Sequence, residues 1–287
     1  MRRLVEKAPA KINLTLDVLG LRPDGYHDVE MVMQSVSLYD TVTLTLHRGP
    51  GVSLETNRED LPRDRGNLAV DAACRFLEAA KLDKTQGVLI VLEKRIPVFA
   101  GVGGGSSDAA AVLRGLNRLT GQVLSPSELL ELGAQVGSDV PYCILGGTAL
   151  ARGRGERLSP LPPLPGCHIV LCKPGFDVAT PALFRALDQW PPRRRPDTRG
   201  AISALEAGDI HGIAAKLHNV FETVLEEAQW ETVAAIRRSL TEQGALGTAM
   251  SGTGPTVFGI FYEEELARRA KYELQSRYQE VFLVKPV

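Results

Sequence analysis

Between Pro97 and Ala110 the chain reads PVFAGVGGGSSDAA, four glycines and two serines joining an apolar run to an alanine-rich one. One kind of chemistry suits such a run. Lacking side chains, Gly101, Gly103, Gly104 and Gly105 let backbone N–H groups crowd around an anion. The amino end of a following helix adds unpaired donors and the positive end of its dipole, which together favour phosphate. Ser106 and Ser107 bring hydroxyls that add donors or reach a metal ion. Two better-known loops do not fit. A nucleotide loop of the GxxxxGK[ST] type needs Lys after its last glycine, where this chain has Ser106-Ser107. A dinucleotide fingerprint needs glycine at position 106 and an acidic residue after a second strand, and neither is present. A plain flexible turn is the bland alternative, but GGGSS directly before an alanine-rich helix is denser than a turn requires.

Three further positions carry groups that matter once phosphate is granted. Lys11 opens a strand-like run and precedes Asn13; by itself it also reads as a solvated surface charge. Asp139, in GSDVP, reads equally as a base or as a helix cap. Asp24-Gly25-Tyr26-His27 puts an aromatic ring and an imidazole on what is also a common turn pair.

The elements that must position these groups follow from periodicity. Ile12, Leu14, Leu16 and Val18 alternate, predicting a strand over 11–19 with one buried face. Strands are predicted over 29–38, 40–46 and 87–94, with helices over 67–81 and 107–119 on either side of the last of these and its glycine run. Ser125-Pro126-Ser127-Glu128 is a helix start, and that helix stops near Gly137. The proline-rich stretch Leu158 to Gly166 marks a linker, giving two domains, 1–158 and 166–287. Beyond it the pattern predicts a strand over 168–172, helical stretches over 181–187 and 212–226, and a long helix over 230–242. A strand following Gly254-Pro255, a helix over 263–276 and a last strand over 281–284 complete an α+β layer.

Composition removes several functions. A chain of 287 residues with a formal net charge of -1 carries no global basic field for nucleic acid, and Arg193-Arg194-Arg195 lies among prolines as a solvated loop. Cys74, Cys143, Cys167 and Cys172 form no CxxC pair and no metal-ligand spacing, which suits a reducing, cytoplasmic setting. No signal peptide or run of about 20 apolar residues is present, so no membrane partner is expected. Nothing in the sequence separates a monomer from a homodimer.

Taken together, PAKIN (9–13), RPDGYH (22–27), the glycine–serine loop, GSDVP (137–141) and MSGTGPTVF (250–258) resemble the GHMP kinases, a superfamily of small-molecule kinases. The resemblance runs from residue 8 to the last strand, with Val102 standing where leucine is more common. It implies an α+β fold of two domains: an amino-terminal ATP-binding domain like domain 2 of ribosomal protein S5, and a ferredoxin-like carboxyl-terminal domain. It implies ATP as co-substrate with Mg2+, and a small cytidylyl alcohol as acceptor. Pro97, Val98, Phe99, Ala100, Gly101, Val102, Gly103, Gly104, Gly105, Ser106 and Ser107 would then bind ATP, with Asn67 and Lys94 toward the nucleoside. Asp139 would take the hydroxyl proton and Lys11 would stabilise the carboxylate and the moving phosphoryl group. Asn13, Tyr26 and His27 would meet the cytosine end, and Ser106 or Ser107 is the candidate metal contact. A kinase of homoserine or mevalonate is the alternative, against which Tyr26 and His27 argue. A non-catalytic nucleic-acid module on the S5-like fold is a more distant one, since fold does not fix function.

Overall fold

The structure, a computed structural model, describes residues 2–287. Its elements in chain order are β1 (Arg2–Leu21), β2 (His27–Arg48), β3 (Gly51–Thr56), α1 (Leu68–Ala79), β4 (Gln86–Glu93), α2 (Gly104–Leu119), α3 (Pro126–Val136), α4 (Val140–Leu145), β5 (Thr148–Gly153), β6 (Arg157–Pro160) and β7 (His168–Lys173). They continue with α5 (Thr180–Gln189), α6 (Thr198–Glu206), α7 (Ile210–Ala215), β8 (His218–Asn219), a 3-10 turn Val220–Val224, α8 (Glu227–Glu242), β9 (Gly247–Met250), β10 (Val257–Phe261), α9 (Glu264–Gln275) and β11 (Glu280–Val284).

Two compact units form, and they interleave along the chain. The first comprises residues up to Ala10, Leu38–Val98 and Gly103–Leu145; the second comprises Lys11–Ser37, Phe99–Val102 and Gly146–Val287. These units divide the chain differently from the single cut expected between 158 and 166, because β1 and β2, 20 and 22 residues long, each contribute to both. The proline-rich stretch is a surface connection, and its start pairs as β6 with β5.

In the first unit the later half of β2 runs antiparallel to β4, from Thr41↔Glu93 to Arg48↔Gln86, and β4 runs parallel to β3. Two parallel neighbours need a crossover, which α1 supplies. Asn67 caps α1 by accepting from the Ala69 N–H at 3.0 Å, and the helix buries Ala72, Ala73, Phe76 and Leu77. Helix α2 packs on α1, α3 and α4 and buries the run Ala109–Leu113. Ser125 and Glu128 form a full capping box at α3, where the sequence predicts a helix start.

In the second unit the first half of β2 pairs antiparallel with β5, and β1 pairs parallel with β8 through Thr15↔His218 and Leu16↔Asn219. A separate sheet has the order β11-β7-β10-β9, antiparallel throughout, with α8 and α9 packed against it. Its core elements follow the sequence β-α-β-β-α-β, the ferredoxin-like arrangement.

Four sequence expectations change. The strands predicted over 29–38 and 40–46 are one strand, β2. Strand β1 is buried on both faces through its middle, because Lys11, Asn13, Thr15 and Asp17 are covered as fully as Ile12, Leu14 and Leu16. Helix α2 starts at Gly104 rather than Ser107, because Gly103 takes a positive φ of 72° and turns the chain directly into the helix. The helical stretch predicted over 212–226 breaks at β8 and the 3-10 turn, because Asn219 bonds backbone groups elsewhere in its unit. No helix among the described residues is long and apolar enough to cross a membrane.

Candidate active site

The first unit holds the amino end of α2. Gly103 provides no side-chain cap, so the first-turn N–H groups of α2 are not taken up by one. A Cβ at Gly104 would stand 3.1 Å from Ile96 Cγ2 and 3.3 Å from Lys94 Nζ, so side chains crowd this turn from one side. Ser107 is fully buried, and its Oγ has no hydrogen-bond partner; the adjacent Asp108 leaves Oδ1 in the same condition. Orphaned buried oxygens are rare in folded proteins and call for an explanation such as a bound ion or ligand.

Beneath this turn lies a cluster of charge. Lys94 Nζ donates to Asp40 Oδ2 at 2.5 Å and to Asp108 Oδ2 at 2.6 Å. Asp40 Oδ1 accepts from the backbone N–H groups of Arg95 and Ile96 at 2.5 and 2.8 Å. Burial pushes the Asp108 carboxyl well above the usual carboxylate range, against the pull of Lys94 and with Asp40 adding to the rise. Burial also works to lower the Lys94 pKa, but the two carboxylates overcome it and hold the ammonium charged. Lys94 is thus committed to ion pairs inside the protein, and its backbone bonds Asn57 through both N–H and C=O. Asn67 is similarly engaged, its Nδ2 donating to the Pro62 carbonyl while its Oδ1 caps α1.

Asp139 also belongs to the first unit. Its carbonyl accepts from the Cys143 N–H at 3.0 Å, which places it at the start of α4. The same turn borders the first turn of α2, because a Cβ at Gly137 would lie 4.0 Å from Ser106 Oγ.

The second unit holds Lys11, Asn13 and the remainder of the loop. Lys11 is only 4% exposed, which removes the reading of a solvated surface charge. Its Nζ donates to Asn13 Oδ1 at 2.8 Å, and the same oxygen accepts from the Gly252 N–H at 2.9 Å. The Lys11 N–H donates to the Val102 carbonyl at 2.9 Å, so Phe99–Val102 is tied to β1. Gly101 and Gly252 pack backbone to backbone: a Cβ at Gly252 would sit 2.6 Å from the Gly101 carbonyl oxygen, and one at Gly101 would strike the Ser251 carbonyl. Ser251 Oγ donates to the Gly101 carbonyl at 3.0 Å. Here glycine is required by the meeting of two chain segments.

Tyr26 and His27 leave a tight turn in the same unit. The Tyr26 N–H donates to Asp24 Oδ1, and Arg22 bridges Asp24 and Asp28. His27 stacks on Phe184, with centroids 4.7 Å apart, and its Nε2 meets Asp188 Oδ1 at 2.9 Å. Tyr26 is 52% exposed and carries the Arg154 guanidinium 4.8 Å from its ring centre. Sequence reasoning missed Phe184 and Asp188; their i, i+4 spacing on α5 is the one local sign that they share a helix face. It also missed Asp40 and Asn219, which carry no motif.

Comparison with known proteins bears on the class first. Sequence models of the GHMP kinases N terminal domain and of the GHMP kinases C terminal match residues 67–147 and 201–280. Solved structures of a homoserine kinase from Cytophaga hutchinsonii (20% identity, TM-score 0.76, covering 99% of this chain and 94% of that one) and of L. major mevalonate kinase (18%, 0.75, 99% and 95%) share the fold. The chain therefore has the two-domain GHMP kinase fold. The 4-diphosphocytidyl-2-C-methyl-D-erythritol kinase of Syntrophomonas wolfei is 47% identical over 99% of this chain and 98% of its own length; that of Alkaliphilus metalliredigens is 43% identical over 99% and 97%. A crystal structure of 4-(cytidine 5'-diphospho)-2C-methyl-D-erythritol kinase aligns with a TM-score of 0.81 at 35% identity, covering 99% of both chains. The chain belongs to the 4-diphosphocytidyl-2-C-methyl-D-erythritol kinase family of the GHMP kinases.

Proposed function

We propose that this protein transfers the γ-phosphoryl group of ATP to the 2-hydroxyl of 4-diphosphocytidyl-2-C-methyl-D-erythritol, a step of the non-mevalonate route to isoprenoid precursors. The observation that carries the acceptor is the Tyr26–His27 turn: an aromatic ring half in solvent beside an imidazole stacked on Phe184 and oriented by Asp188. A ring face and positioned ring nitrogens suit a nucleobase. Asn13 adds an amide whose Nδ2 donates to the weakly accepting Met31 sulfur at 3.1 Å.

Phosphoryl transfer asks the protein for positioning and charge stabilisation rather than covalent chemistry. Gly103, Gly104, Gly105, Ser106 and Ser107 offer backbone donors and hydroxyls to the ATP phosphates, with Pro97 to Val102 forming the approach. Asn67 and Lys94 lie along the nucleoside side of this reading, the Asn67 side chain holding the backbone of Pro62 and Ala69 and the Lys94 ammonium holding the carboxylates of Asp40 and Asp108. Asp139 accepts the hydroxyl proton as the acceptor oxygen attacks the γ-phosphorus, the bond to the β–γ bridging oxygen breaks, and ADP leaves. Lys11 stabilises the charge on the transferring group. Mg2+ would neutralise phosphate charge, and the partnerless Oγ of buried Ser107 suits an oxygen-seeking ion. Among the described residues no group of three or more His, Cys, Asp or Glu could hold a metal, so phosphate and water would complete the shell.

A kinase assay over a panel of alcohols tests the assignment. The cytidylyl substrate is expected to turn over fastest; faster turnover of mevalonate or homoserine would overturn it. Asp139→Asn is expected to lower turnover by about 10²–10⁴. Its melting temperature should stay near that of the parent, since Asn is also a good helix cap. Near-normal turnover would remove Asp139 from the mechanism.

A further inference from the structure

We propose that Asp40 is a positioning residue for ATP, clamping the entry of the phosphate loop directly and its exit through Lys94. This rests on the reading that the loop holds the ATP phosphates. Asp40 lies on β2, far from the loop in sequence, and is fully buried. Its three hydrogen bonds go to groups around the loop's entry: the N–H of Arg95, the N–H of Ile96 and the ammonium of Lys94. Chain direction just before Pro97 is therefore set by one carboxylate oxygen. The second oxygen holds Lys94, whose ammonium reaches Asp108 in the opening turns of α2. One carboxylate thus ties the last residues of the approach to the first residues of the helix whose amino end faces phosphate.

The cost of such a clamp argues that it has a task beyond stability. Three ionisable groups with exposures of 0, 8 and 2% have been taken out of water, and buried ion pairs recover little more than their desolvation cost when compared with well-packed apolar side chains. What they supply is a fixed geometry. The residues they fix include Ser107 and Asp108, neighbours in sequence that both present a buried oxygen without a partner. Gly104 lies beside the same ammonium, since a Cβ added there would stand 3.3 Å from Lys94 Nζ. A displacement of the clamp therefore shifts the backbone donors of the helix turn, and misplacement by about 1 Å remote from the chemistry is enough to cost on the order of a hundredfold.

The test uses the full chain and compares ATP and cytidylyl-substrate affinities by titration calorimetry, with a melting curve for each variant. Asp40→Asn keeps the shape but turns one acceptor into a donor facing another donor. Asp108→Ala cuts only the exit link and leaves the Asp40–Lys94 pair intact, so it tests the clamp even where Asp40→Asn does not fold. Both are expected to weaken ATP by about ten- to a hundredfold while the cytidylyl substrate changes less than about twofold. A role confined to stability would lower the melting temperature and leave the ATP affinity of the folded protein unchanged, and that result would overturn the proposal. Gly104→Val, measured alongside, separates the two failures. If it leaves ATP affinity intact, the loop reading falls and the clamp with it. If it abolishes ATP binding while Asp108→Ala and any folded Asp40→Asn bind ATP normally, the clamp alone falls.

Discussion

Two glycine-rich turns in this protein are held by opposite means. The turn at the start of α2 rests on charge, with Lys94 between Asp40 and Asp108. The turn at Ser251–Gly254 rests on neutral amides: Asn219 Nδ2 donates to the carbonyls of Met250 and Gly252 at 2.8 and 2.7 Å, and Asn13 Oδ1 accepts from the Gly252 N–H. Asn219 Oδ1 is used as well, accepting from the Phe221 N–H at 3.0 Å. An amide can both donate and accept, so Asn219 by itself joins two carbonyls and an N–H without adding a charge of its own. The ionic clamp gives directional, charge-assisted bonds but becomes a liability when any member is lost. The same contrast separates the glycines. Gly104 and Gly105 open a helix, whereas Gly101 and Gly252 exist because two backbones touch.

The largest expected effect comes from breaking the ionic side. Lys94→Met leaves two buried carboxylates facing each other, and a loss of about 3–5 kcal/mol is expected for a broken buried pair. Urea unfolding reads it directly. A loss below about 1 kcal/mol would mean that the carboxylates are relieved in some other way, and the distinction between the turns would collapse.

The amide side should break more gently. Asn219→Leu removes its bonds to the Met250 and Gly252 carbonyls and to the Phe221 N–H; a neutral hydrogen bond contributes about 1 kcal/mol net, so a loss of roughly 3 kcal/mol is expected, at the low end of the range for Lys94→Met. Thermal or urea unfolding on the same footing as Lys94→Met ranks the two. If Asn219→Leu proves the more damaging, the amide network is the principal support and the ranking of the two turns is reversed.

The smallest effect tests the glycines themselves. Gly105 lies in the first turn of α2 with Leu68 Cδ1 at 3.5 Å from its Cβ position, an ordinary contact. Gly105→Ala is therefore expected to change stability by less than about 1 kcal/mol, since alanine is the better helix residue. A large drop in melting temperature would show that Gly105, like Gly101, is required by packing.

The glycine–serine run at the start of α2 was legible because it is local. A glycine run followed by serines and an alanine-rich helix announces an anion site through backbone freedom and helix-end donors, and both lie within a dozen residues. The helix start at Ser125-Pro126-Ser127-Glu128 was equally visible, since its cap closes within three residues. Helix α7 and its sequel were not. Positions 212–226 have helical periodicity, but Asn219 finds better partners at Met250 and Gly252 in another part of its unit, and the helix ends before it. Phe184 and Asp188 could not be linked to His27 across more than 150 residues of chain by any local rule.

By itself, then, the sequence carried the family, and with it the reaction class, in motifs spread along the chain, and it placed α1, β4, α3, β7 and α9 to within a residue or two of their observed bounds. The bounds of those elements depend on backbone dihedral preferences, capping and apolar period, which neighbouring residues carry. Only the tertiary structure decided that Lys94 is a buried bridge rather than a free cation, that Asp40 stands under the loop, and that Gly101 is small for the sake of Ser251 and Gly252. It also decided that β1 and β2 each contribute to both compact units. Burial and charge pairing are properties of residues distant in the chain, and their energies exist only once water has been excluded between them.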